Sequence, residues 1–147
     1  VALGTDGAAS NNDLDMFSEM RTAALVGKAV AGDASELPAH QVLEMATING
    51  AKALGIEQKI GSLEVGKFAD IAAVNLDQFN TLPHNNPLSH LVFATKSSQV
   101  SHVWCGGKAI LDNGSLKTLD EALLRTTTLN WQERILAADS SDLHEKR

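Results

Sequence analysis

The chain opens on a short apolar run, Val1-Ala2-Leu3, that stops at Gly4-Thr5-Asp6-Gly7. An apolar run ending in a carboxylate flanked by glycines is the pattern of a buried strand passing into a loop. Asp6 is therefore expected at a strand end, and the elements that follow must fit around that point. Aspartate before glycine is also a common turn former or helix cap, so the triplet Thr5-Asp6-Gly7 alone leaves both a chemical and a structural role open. Because residue 1 is not methionine and enters at once into the apolar run, it is expected to lie inside a longer polypeptide.

After the loop, Ser10, Asn11, Asn12 and Asp13 offer helix N-caps. Leu14, Met16, Phe17, Met20, Ala24 and Leu25 then recur at helical spacing until Gly32. A second helix is expected from Ser35 as its cap and Pro38 in its first turn, with Val42, Leu43 and Ala46 inward. Asn49-Gly50 should interrupt it, and Ala51 to Leu54 add a further turn closed by Gly55. From Ile56 the texture changes: Gly61 and Gly66 punctuate a segment leading to a strand over residues 69–74, which puts a boundary near residue 55. Residues 80–87 read as loop, and 88–94 as an apolar segment of open type. Residues 100–105 and 108–111 flank Gly106-Gly107 as a hairpin, and Asp112-Asn113-Gly114 makes another turn. A helical tail follows, with a polar end over Asp139–Arg147 expected to fray.

Composition narrows the function classes. The net charge of -6 comes with no basic stripe of the kind that neutralises phosphates, so nucleic acid is not an expected partner. No apolar run reaches the roughly 18 residues of a membrane helix, and no secretory leader pattern opens the chain. A single cysteine, Cys105, excludes an internal disulfide and a cysteine-rich zinc site, and the cytoplasm is the expected compartment.

Three ordered blocks carry a family resemblance. The first is Leu3-Gly4-Thr5-Asp6-Gly7-Ala8-Ala9-Ser10-Asn11-Asn12, running into Leu14-Asp15-Met16 and Glu19-Met20-Arg21. The second is Ala46-Thr47-Ile48-Asn49-Gly50-Ala51-Lys52-Ala53-Leu54-Gly55, and the third is Gly61-Ser62-Leu63-Glu64-Val65-Gly66-Lys67-Phe68-Ala69-Asp70. Together they resemble the amidohydrolase superfamily, in its cytosine-deaminase-like and chlorohydrolase-like branch, and most of all the 5′-methylthioadenosine/S-adenosylhomocysteine deaminases. The resemblance implies an α/β chain that is the C-terminal fragment of a (β/α)8 TIM barrel with part of a composite β-sandwich. Residues 1–55 would hold the last barrel strand (Val1 to Thr5) and helices, the eighth barrel helix running from Leu14 to Ala31. Residues 56–115 would form the C-terminal part of the sandwich, and 116–147 a helical tail.

The resemblance further implies that Asp6 is both a metal ligand and a catalytic residue. It would help hold Zn2+, or another divalent ion such as Fe2+ or Mn2+, and take a proton from the water that attacks C6 of an adenine ring. The substrate would be a small nucleoside or purine-like molecule, deaminated to its inosine analogue with release of ammonia, and the intact enzyme would be a homo-oligomer. The family's histidine ligands and its proton-shuttling glutamate have no counterpart here. His40, His84, His90, His102 and His144 sit in no matching motif and are expected to be solvated or structural. Catalysis by the fragment alone is therefore not expected. Glu19, Arg21 and Glu44 are expected on helix faces or in structural pairs, Met16 and Met20 in the core, and Cys105 as a small packed residue. The other readings are a guanine, cytosine or s-triazine hydrolase of the same superfamily, and a non-catalytic scaffold domain.

Overall fold

The computed structural model describes the backbone of residues 1–145 and the side chains of residues 1–138. The segment 139–147 is helical in backbone through Glu145 and otherwise lies outside the described residues, as does the side chain of His144. The chain is mixed α/β and divides into two compact units, Val1–Gly114 and Ser115–Arg147.

In the first unit four helices enclose a small core. Helix α1 (Met16–Ala31) starts on Asp15, whose carboxylate accepts the Phe17 N–H at 2.8 Å, and stops at Gly32, which turns left-handed at φ 66°. The four candidate caps from Ser10 to Asp13 do not cap it, because Leu14 at φ 44° turns the chain between them and the helix. Helix α2 (Ala39–Ala46) is preceded by Pro38 in extended geometry and has no side-chain cap. Ser35, expected to cap it, instead gives its N–H and hydroxyl to Asp33 Oδ1 at 2.8 and 2.7 Å. The break after α2 falls at Thr47 (φ -128°, ψ -98°) rather than at Asn49-Gly50, which lie within α3 (Ile48–Ala53). Thr47 sends its hydroxyl back to Leu43 O at 2.7 Å, taking up a carbonyl that the interrupted helix leaves open. Helix α4 (Pro87–Phe93) settles the open segment as helix, with Pro87 in its first turn and Asn86 Oδ1 accepting the Ser89 N–H at 3.1 Å.

Met20 and Ala24 of α1, Val42 of α2 and Val92 of α4 form the buried cluster, with Leu3, Phe17, Leu37, Leu43 and Phe93 packed around it. Met16, expected beside Met20, is half-buried. Arg21 ties α1 to the end of α4, donating from Nε to Phe93 O at 3.0 Å and from Nη2 to Thr95 O at 2.6 Å. A guanidinium fork thus satisfies carbonyls at the helix terminus that have no helical partner.

Strands β1 (Ile71–Val74), β2 (Val100–Cys105) and β3 (Lys108–Asp112) lie side by side and antiparallel, Ile71 opposite Trp104 and Val103 opposite Leu111. The hairpin turns on Gly106 and Gly107 at φ 56° and 79°, both left-handed, as a type I′ turn requires. Asp70 Oδ1 and Ala69 O accept the two glycine N–H groups at 2.6 and 3.0 Å, which pins the turn to the start of β1. Cys105, expected to be packed, is exposed among the described residues, at the end of β2 beside this turn.

The connection from β1 to β2 has a polar interior. Thr81 and Thr95 are fully buried and Gln99 is 9% exposed. Gln99 Oε1 accepts from Asn80 Nδ2 (2.8 Å) and Lys96 N (3.0 Å), and its Nε2 donates to Asn75 O at 3.0 Å. Thr81 donates its hydroxyl to Leu76 O and Thr95 to His90 O.

Val1–Thr5, expected as a strand, has no strand ladder among the described residues. Its Leu3 N–H goes to Met45 O of α2 at 2.9 Å. A strand exists only against a partner strand, and none lies beside this run. In the second unit, β4 (Ser115–Leu116) precedes α5 (Glu121–Glu145); just ahead of α5 Asp120 Oδ1 accepts the Leu123 N–H at 3.0 Å, and within it Arg134 stacks over Trp131. The sequence pattern did not mark β4.

Two glycines make opposite predictions. Gly61 sits at φ 90°, and a Cβ there would lie 2.7 Å from Ala51 Cβ and 3.0 Å from Ile48 Cα. Gly61→Ala should cost about 1–3 kcal/mol from combined backbone strain and overpacking. Gly50, inside α3, has nothing within 4 Å of a built Cβ, and Gly50→Ala should stabilise by about 0.5–1 kcal/mol. Urea unfolding midpoints moving in the same direction for both would contradict this account.

Candidate functional site

Asp6 lies in the stretch between the opening run and α1. It is exposed, and its backbone is left-handed at φ 59°. For a residue with a side chain this conformation is uncommon, although aspartate and asparagine adopt it more readily than most. Gly7 N–H donates to Asp6 Oδ1 at 2.8 Å, while the Thr5 hydroxyl donates to Asp6 O at 3.2 Å. One oxygen of the carboxylate is thus held by the neighbouring backbone. Beyond it the chain curls back, with the Ser10 and Asn11 N–H groups on Gly7 O at 2.9 and 3.0 Å.

Two side chains lock this curl. Asn11 Nδ2 donates to Glu19 Oε1 at 2.6 Å, and Asn11 Oδ1 accepts from Asp13 N at 3.0 Å. Glu19 is expected on a helix face or in a structural pair, and the structure gives it Asn11 as a partner, which the sequence does not name. A polar loop residue followed eight positions later by a helical glutamate leaves no periodic signal. Arg21 proved to be a structural residue, as expected of it.

The structure gathers no other candidate around Asp6. Among the described residues there is no group of three or more His, Cys, Asp or Glu side chains able to hold a metal ion. His40 is exposed, His84 Nε2 pairs with Leu76 O at 2.8 Å, and His90 is half-buried in α4. His102 lies 2.9 Å from the Ser101 hydroxyl and 3.4 Å from Asp112 Oδ1, and it stacks on Trp104. These are the solvated and structural roles expected of them. No helix among the described residues is long and apolar enough to cross a membrane.

Two carboxylates elsewhere are shifted. Asp33 is held below the usual aspartate range, first by the Ser35 N–H, then by the Ser35 hydroxyl, with Lys28 adding to it. Glu64 is lowered by the Ser62 hydroxyl and then by Lys67. Both shifts belong to turns and not to the neighbourhood of Asp6.

A mixed α/β unit that presents one carboxylate from a left-handed loop residue does not define a class by itself, and the class follows from comparison with known proteins. Residues 1–110 match the model of the amidohydrolase family, and the chain belongs to that family. It is 48% identical over 135 residues to the 5-methylthioadenosine/S-adenosylhomocysteine deaminase of Teredinibacter turnerae, covering 92% of this chain and 30% of the relative. The enzyme of the same name from Moorella thermoacetica is 52% identical over 82% of this chain and 28% of its own length. Among solved structures, a zinc-bound adenosine deaminase from Xanthomonas campestris superposes with a TM-score of 0.89 at 49% identity, covering 92% of this chain and 31% of that one. An atrazine chlorohydrolase from Arthrobacter aurescens in complex with zinc gives 0.75 at 30% identity, over 84% of this chain and 28% of that one. The chain therefore spans about 30% of the length of the curated relatives it matches.

Because asparagine tolerates the left-handed region and a β-branched residue does not, Asp6→Asn should leave the thermal unfolding midpoint nearly unchanged while Asp6→Val lowers it. Equal midpoints would show that φ at this residue relaxes freely. For Asp33 the sign is that of a depressed acid. It contributes stability above the unfolded pKa, and that contribution is lost as pH falls through the lower folded value. An NMR titration of the Asp33 carboxyl should have its midpoint below the ordinary value and move up in Ser35→Ala; a midpoint that stays put would remove the hydroxyl as a cause.

Proposed function

We propose that this chain is the C-terminal part of a metal-dependent amidohydrolase that deaminates an adenosine-type nucleoside, 5′-methylthioadenosine or S-adenosylhomocysteine, to the inosine analogue and ammonia. The observation that carries the reading is Asp6, left-handed at φ 59° with Oδ1 accepting the Gly7 N–H, on an exposed loop that a ligand can reach. The names of the relatives, with identities of 48% and 52%, support a deaminase. On this reading Val1 to Thr5 is the last strand of a (β/α)8 barrel, which pairs once neighbouring strands are present, and residues 1–55 belong to the barrel. Residues 56–115 belong to a β-sandwich, with 116–147 a helical tail. Large apolar side chains left in water, such as Val65 at 109%, Leu54 at 72% and Leu63 at 72% exposed, fit a piece of a larger core. The intact enzyme is proposed as a cytoplasmic homo-oligomer.

The residues present fit a divalent ion only as one donor of its shell. Asp6 brings a hard carboxylate oxygen, and a tetrahedral zinc takes four ligands. The zinc-bound structural neighbours support that ion, with Fe2+ or Mn2+ as the other candidates. When bound, such an ion lowers the pKa of water toward about 7 and so supplies a nucleophile at neutral pH. Asp6 would be one ligand of the ion and would take a proton from the attacking water; at C6 of the purine a C6–O bond would form and the C6–N bond break, the two protons of the water ending on the departing amino group, as ammonia, and on the ring nitrogen N1. Triazine hydrolysis is the second reading, carried by the chlorohydrolase superposition; its 30% identity against 49% for the adenosine deaminase weighs toward the nucleoside.

In the intact protein, ammonia release from 5′-methylthioadenosine should fall about 100- to 10,000-fold in Asp6→Asn, with bound metal reduced and the fold retained. A variant as fast as the parent would remove Asp6 from the chemistry, and an unsubstituted protein active only on triazines would replace the substrate.

A further inference from the structure

We propose that Glu19 is a positioning residue for Asp6, acting through Asn11. The inference rests on the reading of Asp6 given above and adds a residue that the reaction itself does not require.

The contacts form a single line from a fixed helix to the carboxylate. Glu19 stands in the first turn of α1 with its N–H on Asp15 O at 3.0 Å, between half-buried Ser18 and buried Met20, two residues before the Arg21 fork. Its Oε1 accepts from Asn11 Nδ2 at 2.6 Å. Asn11 in turn reaches Gly7 O through its own N–H at 3.0 Å, and Gly7 N–H holds Asp6 Oδ1 at 2.8 Å. Gly7 is therefore gripped through both its carbonyl and its N–H, the first leading to Glu19 and the second to Asp6.

Burial makes this line the tether of the loop. Asp6 and residues 7–10 are exposed, whereas Asn11 and Glu19 are half-buried. A loop in water has few restraints beyond such bonds, and an amide donating to a carboxylate is stronger than a bond between neutral groups. Glutamate also suits the first turn of a helix, where exposed N–H groups favour negative charge. A carboxylate that must meet an ion and a water at fixed distances loses rate when its support slackens, and removing an outer-shell partner costs roughly 10–100-fold in activity.

The test compares Glu19→Ala, which removes the acceptor, with Glu19→Gln, which keeps an acceptor oxygen and loses only the charge. In the metal-loaded intact protein, Glu19→Ala should lower kcat for 5′-methylthioadenosine about 10- to 100-fold with little change in KM, and Glu19→Gln should restore most of it. In the metal-free protein, amide hydrogen exchange at Ser10 and Asn11 should quicken about tenfold or more in Glu19→Ala and stay near the parent rate in Glu19→Gln. Parent-like kcat in Glu19→Ala, an equal loss in both variants, or unchanged exchange would each overturn the proposal. If the unsubstituted protein deaminates no nucleoside, the proposed function falls and exchange alone decides: faster in Ala but not in Gln upholds the tether, and no difference overturns it.

Discussion

Helix α1 is the part on which the rest of the first unit depends. One face supplies Met20 and Ala24 to the buried cluster, where Val42 and Val92 meet them. From the same helix Arg21 spans to the carbonyls of Phe93 and Thr95, more than seventy residues on in sequence. A local helix thereby becomes a tertiary anchor, because closing a long loop is entropically unfavourable unless several bonds form together. The N-terminal turn of the helix then faces the loop that bears Asp6. Core packing and the candidate site share one rigid element, so the helix that buries apolar surface also sets where the carboxylate stands.

Much of this architecture was legible in the sequence, and for identifiable reasons. Helix α1 declared itself through apolar spacing and a terminal glycine, and the hairpin through Gly106-Gly107, where two left-handed residues leave few alternatives. Asp6 stands out as a candidate through its flanking glycines and the resemblance of three blocks. Capping was less readable: four polar residues in a row could each have started the helix, and it was the turn at Leu14 that left Asp15 to do it. Ser35 failed as a cap because α2 begins only at Ala39, with Pro38 in the cap position, while the N–H and hydroxyl of Ser35 go to Asp33 Oδ1. The opening run forms no ladder among the described residues for another reason, since pairing is a property of two segments and a sequence shows only one of them. Cys105 likewise looked packed only because burial depends on what else covers the end of β2.

The Asp6 neighbourhood shows how a site is distributed between pattern and geometry. The carboxylate is written in the sequence; its left-handed backbone and the contact between Asn11 and Glu19 are not. They arise because the chain turns back over eight residues onto the first turn of α1. Local strain at Asp6 is maintained by this fold-back, so conformational energy stored at one residue is balanced by hydrogen bonds spread over several others.

The polar interior between β1 and β2 has a different consequence, for how freely the chain can drift. An apolar core accepts exchanges of similar volume, because its cohesion has no direction. Here Gln99 meets Asn80 Nδ2, Lys96 N and Asn75 O through one side chain, so replacing it would remove three directed bonds at once. Neighbouring residues there must change together or stay as they are. This irregular stretch, with little regular structure beyond α4, is therefore expected to be among the least malleable parts of the chain.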